Sequence, residues 1–230
     1  NITPDPETGI GPWPQEAFVR AMREGVDREG RHLYPAFPYD HFRSMVVADL
    51  QTLYAFLMSR AAVSAPPPAN ELYFPFNLRP LVAAWKWLFL RAEPNGAPPG
   101  PSLEYDRGAY LVQGLAHCGG CHTPRNLHGA EKRDHALAGG VIEAWLAPAL
   151  DRSSRSPKPW SAGELYLYLR YGLAPEHAIP AGPMREVVHN LAAANDDDVR
   201  AIAVYIGALM SAAGDGERGQ TLDGLLARAP

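Results

Sequence analysis

Cys118-Gly-Gly-Cys121-His122 holds both cysteines of the chain, two residues apart and followed at once by an imidazole. Covalent attachment of a c-type haem needs this order: two thiols for thioether bonds to the porphyrin vinyls and a nitrogen for the iron. A zinc site could draw on the same residues with His117 or His128. Structural zinc motifs bring a second ligand pair at characteristic spacing, and the sequence has none. The stretch therefore reads as a haem attachment site, with Cys118 and Cys121 as the covalent anchors and His122 as one axial ligand.

Composition narrows what surrounds it. A chain of 230 residues that is 47% hydrophobic can bury one large or two small cores. A formal net charge of −4 leaves no basic footprint for nucleic acid or an anionic membrane, so the expected partner is another protein. The 23 prolines and 21 glycines fall between apolar stretches, which predicts helices joined by long ordered loops. The longest apolar run, Leu81 to Leu90, is interrupted by Lys86 and falls short of the roughly 18 to 20 residues a membrane span requires.

Working outward, the sequence repeats itself. Trp13 to Gly25 aligns without a gap on Trp160 to Gly172, since 160 − 13 and 172 − 25 are both 147. Ala48 to Leu57 then matches Asp197 to Ile206 once two residues are inserted between the helices. Ser161 with Glu164 predicts a capping box, Pro14 suits a first turn, and Gly25 and Gly172 suit helix ends. Asn195 or Asp196 predicts a cap for a last helix whose apolar stripe is Val199, Ile202, Ala203, Ile206 and Leu209, with the acidic Asp196–Asp198 run favoured by the helix dipole. A further helix is expected over Arg107 to His117, with Gly108 permitting a close crossing near Tyr205. Between the repeats, Ala65-Pro-Pro-Pro68 and Asn95 to Pro101 read as linkers around a short aromatic helix at Leu81–Leu90. That helix is expected to pack between domains, the alternative being a docking or membrane-surface patch.

A haem held by His122 takes its second ligand from a downstream loop, and thioether sulfur there raises the reduction potential. Met184, in Ile179-Pro-Ala-Gly-Pro-Met184, is the candidate, set among prolines and glycine in the loop between the two repeat helices. A plain buried methionine and His189 are the competing readings. Arg125, Trp160 and Tyr110 are candidates for packing or bonding the haem edge and propionates, because buried carboxylates need donors.

Arg107-Gly-Ala-Tyr-Leu-Val, His117 to Asn126, Gly182 to Asn190 and the Asp-Asp-Val-Arg-Ala-Ile-Ala helix together resemble the multi-haem cytochrome c subunits of bacterial periplasmic dehydrogenases. The opening Asn1 to Trp13 is similar to the stretch such subunits carry between haem attachment and distal ligand. The resemblance covers nearly the whole chain. It implies an all-α fold of cytochrome c-like domains in tandem, short helices with long Pro/Gly-rich loops wrapping haem c. The implied role is an electron-transfer subunit, not itself an enzyme. It would accept electrons from a dehydrogenase catalytic subunit of molybdenum, PQQ or flavin type and pass them to a downstream respiratory acceptor. The implied location is periplasmic, with any membrane association through partners.

The expected organisation is residues 1–62 as the second half of a first cytochrome domain, 63–103 as a linker, 104–212 as a complete domain and 213–230 as a tail or the start of another. The repeat offset carries Cys118 to a position before residue 1, so a piece of something longer is expected, with one haem attached here and further haems elsewhere. Phe37 stands where the repeat and the family place the methionine matching Met184, and phenylalanine cannot bind iron. His41 is the expected substitute, with Met45 and His32 behind it. An open iron in that first domain would instead suit a haem enzyme of peroxidase type.

Overall fold

The computed structural model describes residues 1–90 and 100–211. The expected tail over 213–230 and most of the Asn95–Pro101 linker lie outside the described residues. The chain divides into two units, Asn1–Asn95 and Gly96–Pro230.

In the first unit, α1 (Gln15–Glu24) begins after Pro14 and ends at Gly25 in the left-handed conformation, φ 60°. A short α2 (Tyr39–Phe42) precedes α3 (Val47–Met58). The apolar face of α1 meets α3 over Ile10, Phe18, Met22, Met45 and Leu50, with Trp13, Phe37 and Tyr54 around the rim. The Tyr54 hydroxyl donates to the Trp13 carbonyl at 2.7 Å, tying α3 to the turn before α1. The aromatic stretch forms α4 (Arg79–Phe89), and it packs within this unit. Its Lys86 ammonium, buried, donates to the Gly25 carbonyl and to His32 Nδ1, both at 3.1 Å, and lies over the ring of the fully buried Tyr39. Arg79 adds a bond to the His32 carbonyl at 2.7 Å.

The second unit repeats the helix, loop, helix order. α5 (Leu103–Tyr110) is capped by Ser102, whose hydroxyl accepts from the Tyr105 amide. It crosses α9 (Asp196–Met210) at Gly108, where an added Cβ would lie 2.0 Å from the Ala201 carbonyl oxygen and 2.7 Å from Tyr205 Cβ. Only glycine admits that approach. Arg107 brackets the crossing with two bonds to the Asp198 carboxylate, at 2.7 and 3.0 Å. The expected single helix over Arg107 to His117 is not continuous: after Tyr110 the chain loosens into a π-helical turn, Leu111–Leu115, before the cysteine motif. α7 (Ala162–Tyr171) carries the expected capping box from Ser161 and Glu164 and ends at Gly172, φ 68°. Asn195 caps α9 through the Asp197 amide, and Val199, Ile202, Ala203 and Ile206 are buried as the stripe required. α5, α7 and α9 enclose one core, with Val112, Leu165, Leu169 and Val204 among its members.

The fold is helix-rich, as expected, with one small two-stranded sheet among the described residues. Gly140–Ile142 (β1) and Trp145–Ala147 (β2) form an antiparallel hairpin, Gly140 opposite Ala147. Its turn residues Glu143 and Ala144 both have positive φ, 48° and 66°, the conformation a two-residue hairpin demands. No described helix is long and apolar enough to cross a membrane.

Candidate haem site

The cysteine motif occupies a four-residue helix, α6 (Gly119–His122). A bond from the Cys118 amide to the Val112 carbonyl at 3.1 Å holds its start against the first residues of the π-helical turn. Neither cysteine is in a disulfide. Burial pushes the Cys118 thiol up to about 12, and burial also raises that of Cys121, so both stand protonated until they react.

His122 is set by a single bond. Its Nδ1 lies 2.7 Å from the Pro148 carbonyl oxygen, just past β2. A carbonyl only accepts, so Nδ1 carries the proton and Nε2 presents a bare lone pair. Burial lowers the pKa of this imidazole, the bond to Pro148 opposing it, and the net result favours the neutral ligand form. A ligating histidine anchored through its second nitrogen has a fixed tautomer and ring orientation.

The hairpin joins the cysteine motif to the distal segment. The Gly139 amide donates to the His122 carbonyl at 2.8 Å, and Gly140 lies so close to the Cys121 carbonyl that a Cβ would come within 2.3 Å of its oxygen. At its other end Trp145 covers Gly182, whose φ of 53° and contact with the indole both exclude a side chain: a Cβ there would be 2.5 Å from the ring. Gly182 is the N-cap of α8 (Pro183–Leu191), so Met184 sits in a helical first turn rather than in a free loop, partly buried against the α5–α7–α9 core that Cys118 also touches. Val141, Trp145, Leu146 and Ile179 expose apolar side chains on and beside this bridge. Two free thiols, an oriented neutral imidazole, a thioether on the same core and an uncovered apolar wall fit a c-type haem.

The remaining candidates divide. Arg125 donates to the Gly129 and Gly120 carbonyls at 2.8 and 2.9 Å, so it braces the loop of the motif itself. Trp160 packs on the core, stacked at 3.6 Å and 12° on His177 and edge-on to Tyr168. Tyr110 packs on the same core, under the Arg107 guanidinium. His189 lies in the last turn of α8. His41 lies on α2 of the first unit. Of the residues behind it, Met45 is buried in the α1–α3 core and His32 accepts from Lys86. Phe37 packs on the same core and against Phe42.

The sequence does not single out Pro148, Trp145 or His177, and it marks Gly182 only as part of the Met184 segment. Gly182 precedes a proline and could have been suspected as a cap; the Pro148 contribution is a backbone carbonyl and carries no side-chain signal.

No protein-family model matches the chain. It is 54% identical over 210 residues to a nicotinate dehydrogenase subunit of Pseudomonas putida, covering 91% of this chain and 18% of that protein. It is 39% identical over 229 residues to the fructose dehydrogenase cytochrome subunit of Gluconobacter japonicus, covering 96% of this chain and 46% of that protein. Against a diheme cytochrome c-type protein of Cereibacter sphaeroides it is 37% identical over 207 residues, 90% of this chain and 69% of the other. The chain thus spans less than half the length of the first two relatives. With the diheme protein matched over most of both sequences, the chain belongs to the multi-haem c-type cytochromes, and its other relatives are named as subunits of dehydrogenases.

Proposed function

We propose that this chain is an electron-transfer subunit in which Cys118 and Cys121 anchor haem c and His122 and Met184 are its axial ligands. It would take electrons from a dehydrogenase catalytic subunit of molybdenum, PQQ or flavin type and pass them to a downstream respiratory acceptor. Attachment by the c-type machinery takes place outside the cytoplasm, which points to the periplasm. The observation that carries the reading is the 2.7 Å bond from His122 Nδ1 to the Pro148 carbonyl, in a histidine that directly follows Cys-x-x-Cys.

Haem c, when bound, supplies a one-electron couple at iron. The residues do the rest by holding still. His122, fixed in tautomer by Pro148, offers Nε2 without rotating. Gly182 and Pro183 fix the turn that carries Met184, and a soft thioether favours the ferrous state and raises the potential. Ligands that stay in place in both oxidation states keep reorganisation small. Residues 104–212 form a complete domain in this reading. Residues 1–62 are the second half of another, whose iron, lacking a methionine at Phe37, would turn to His41.

Potentiometric titration of the holoprotein tests the assignment. Met184→Ala should lower the potential of one haem and remove its ferric sulfur-to-iron near-infrared band, with the covalent haem retained. A potential and band unchanged in that variant would remove Met184 from the site.

A further inference from the structure

The stretch between α7 and α8, residues 173–182, has no regular structure and ends on the turn that carries Met184. Only Glu176 and His177 in it have polar side chains, and both reach back to the segment before α7. Glu176 pairs with Lys158. His177 is turned inward, its side chain 3% exposed, and meets three residues at once. Its ring is stacked on Trp160, 3.6 Å between centroids, and Trp160 is itself braced edge-on by Tyr168 of α7. Nδ1 lies 3.3 Å from the Ser156 hydroxyl. Nε2 lies 3.6 Å from Glu164 Oε1, beyond hydrogen-bond length, and is buried with no other partner. Glu164 commits its other oxygen to the Ser161 cap, which leaves Oε1 facing the imidazole.

The first repeat holds its matching loop by other means. The offset of 147 carries Trp160 to Trp13, but it carries Ser156, Glu164 and His177 to Gly9, Ala17 and Gly30. The aromatic platform recurs and its polar partners do not, in the repeat where Phe37 stands at the position of Met184. There the loop is tied instead from α4, by Lys86 to the Gly25 carbonyl and by Arg79 to the His32 carbonyl. The His177 cluster therefore goes with the methionine and not with the repeat as such. Residues behind a metal ligand set its orientation, and a ligand on an irregular loop depends on them most.

We infer that His177 is a positioning residue for Met184. Clamped by Trp160, Ser156 and Glu164, it fastens the distal loop to the start of α7, so that the thioether does not yield its place to another ligand. Imidazole suits the role because one ring offers a flat face to Trp160 and a nitrogen to each of the other two residues. Phenylalanine would keep the face and lose both nitrogens. This rests on the reading of Met184 as an axial ligand.

The test is titration of the ferric holoprotein with imidazole, a small ligand that displaces a weakly held methionine, followed in the haem spectrum. Met184→Ala sets the affinity of the open site. His177→Phe should bind imidazole about tenfold more tightly than wild type, the loss expected when a buried polar clamp is removed. Asn195→Ala, which removes the cap of α9, serves as a destabilised control and should keep the wild-type affinity. Wild-type affinity in His177→Phe, or an equal rise in Asn195→Ala, would overturn the inference. His177→Gln, which keeps an amide for Ser156, should fall between wild type and His177→Phe. It decides the question if the phenylalanine variant yields no holoprotein: raised affinity upholds the role and wild-type affinity overturns it. Imidazole binding as tight in wild type as in Met184→Ala defeats the ligand assignment itself. A clear gap between those two, with His177→Phe at the wild-type value, defeats only the positioning role.

Discussion

In the proposed haem site His122 would act through both nitrogens, and only one of these roles is suggested by the sequence. Covalent haem chemistry imposes a fixed order of thiol, thiol and imidazole, so Cys118, Cys121 and His122 are proposed from spacing alone. The Pro148 carbonyl that fixes the tautomer comes from a residue whose side chain says nothing about it. In the first unit, His32 is a second oriented imidazole. Its pKa is lowered from 6.5 by burial first and by the Lys86 charge second. The folded state therefore binds this proton more weakly than the unfolded chain does. As pH falls through about 6.5 the unfolded chain is protonated first, and stability declines until the pH passes below the folded pKa. Above that window His32 contributes nothing. Denaturant midpoints of the holoprotein from pH 8 to pH 5 should show this decline, and His32→Gln should flatten it; an identical slope in the variant would remove His32 as its source. In Lys86→Met, whose side chain is of similar length and uncharged, the His32 titration followed by NMR should move up toward 6.5, because the neighbouring charge is gone. A downward move would contradict the assigned cause.

Helices were legible where a local signal ended them and obscure where none did. Ser161 and Glu164 each satisfy a backbone amide of the other's residue, a pattern written wholly in side chains. Ser161→Ala should cost about 1 kcal/mol in chemical denaturation. The α5–α9 crossing was also legible, since Gly108 and Tyr205 are the small and large partners that a close approach needs. Gly108→Val would drive a side chain into the Ala201 carbonyl and should cost about 1–3 kcal/mol or more, with no change in haem attachment chemistry. A stability within experimental error of wild type would show that the helices do not meet there. The π-helical turn left no mark because a widened turn leaves the residue types of Leu111–Leu115 those of an ordinary helix. The hairpin was hidden for a sharper reason. Two-residue turns of its kind advertise themselves with Asn-Gly or Asp-Gly, and this one uses Glu143-Ala144, residues that rarely accept positive φ. Its strands are held beside Cys121, His122 and Gly182, contacts distant in sequence that no local turn signal records.

At the scale of the molecule, duplication is the organising fact. Trp13 to Gly25 and Trp160 to Gly172 fold into corresponding helices, and each packs against the later helix of its own repeat, α1 on α3 and α7 on α9. What differs is what each unit has to enclose: α9 is sheathed by α5, and α3 keeps an open flank. The 63–103 stretch, which matched neither repeat, contributes α4 to the first unit through Lys86 and Arg79, contacts made by long polar side chains that hydropathy patterns do not register. The proposed centre of the molecule is haem c held at Cys118 and Cys121 with His122 on the iron. Peptide mass spectrometry of protein matured by a c-type assembly system tests it most directly. The prediction is a single peptide containing Cys118-Gly-Gly-Cys121-His122 that carries a haem mass surviving acid extraction, lost in Cys118→Ala/Cys121→Ala. Recovery of that peptide with both thiols unmodified, or with zinc bound in place of haem, would contradict it.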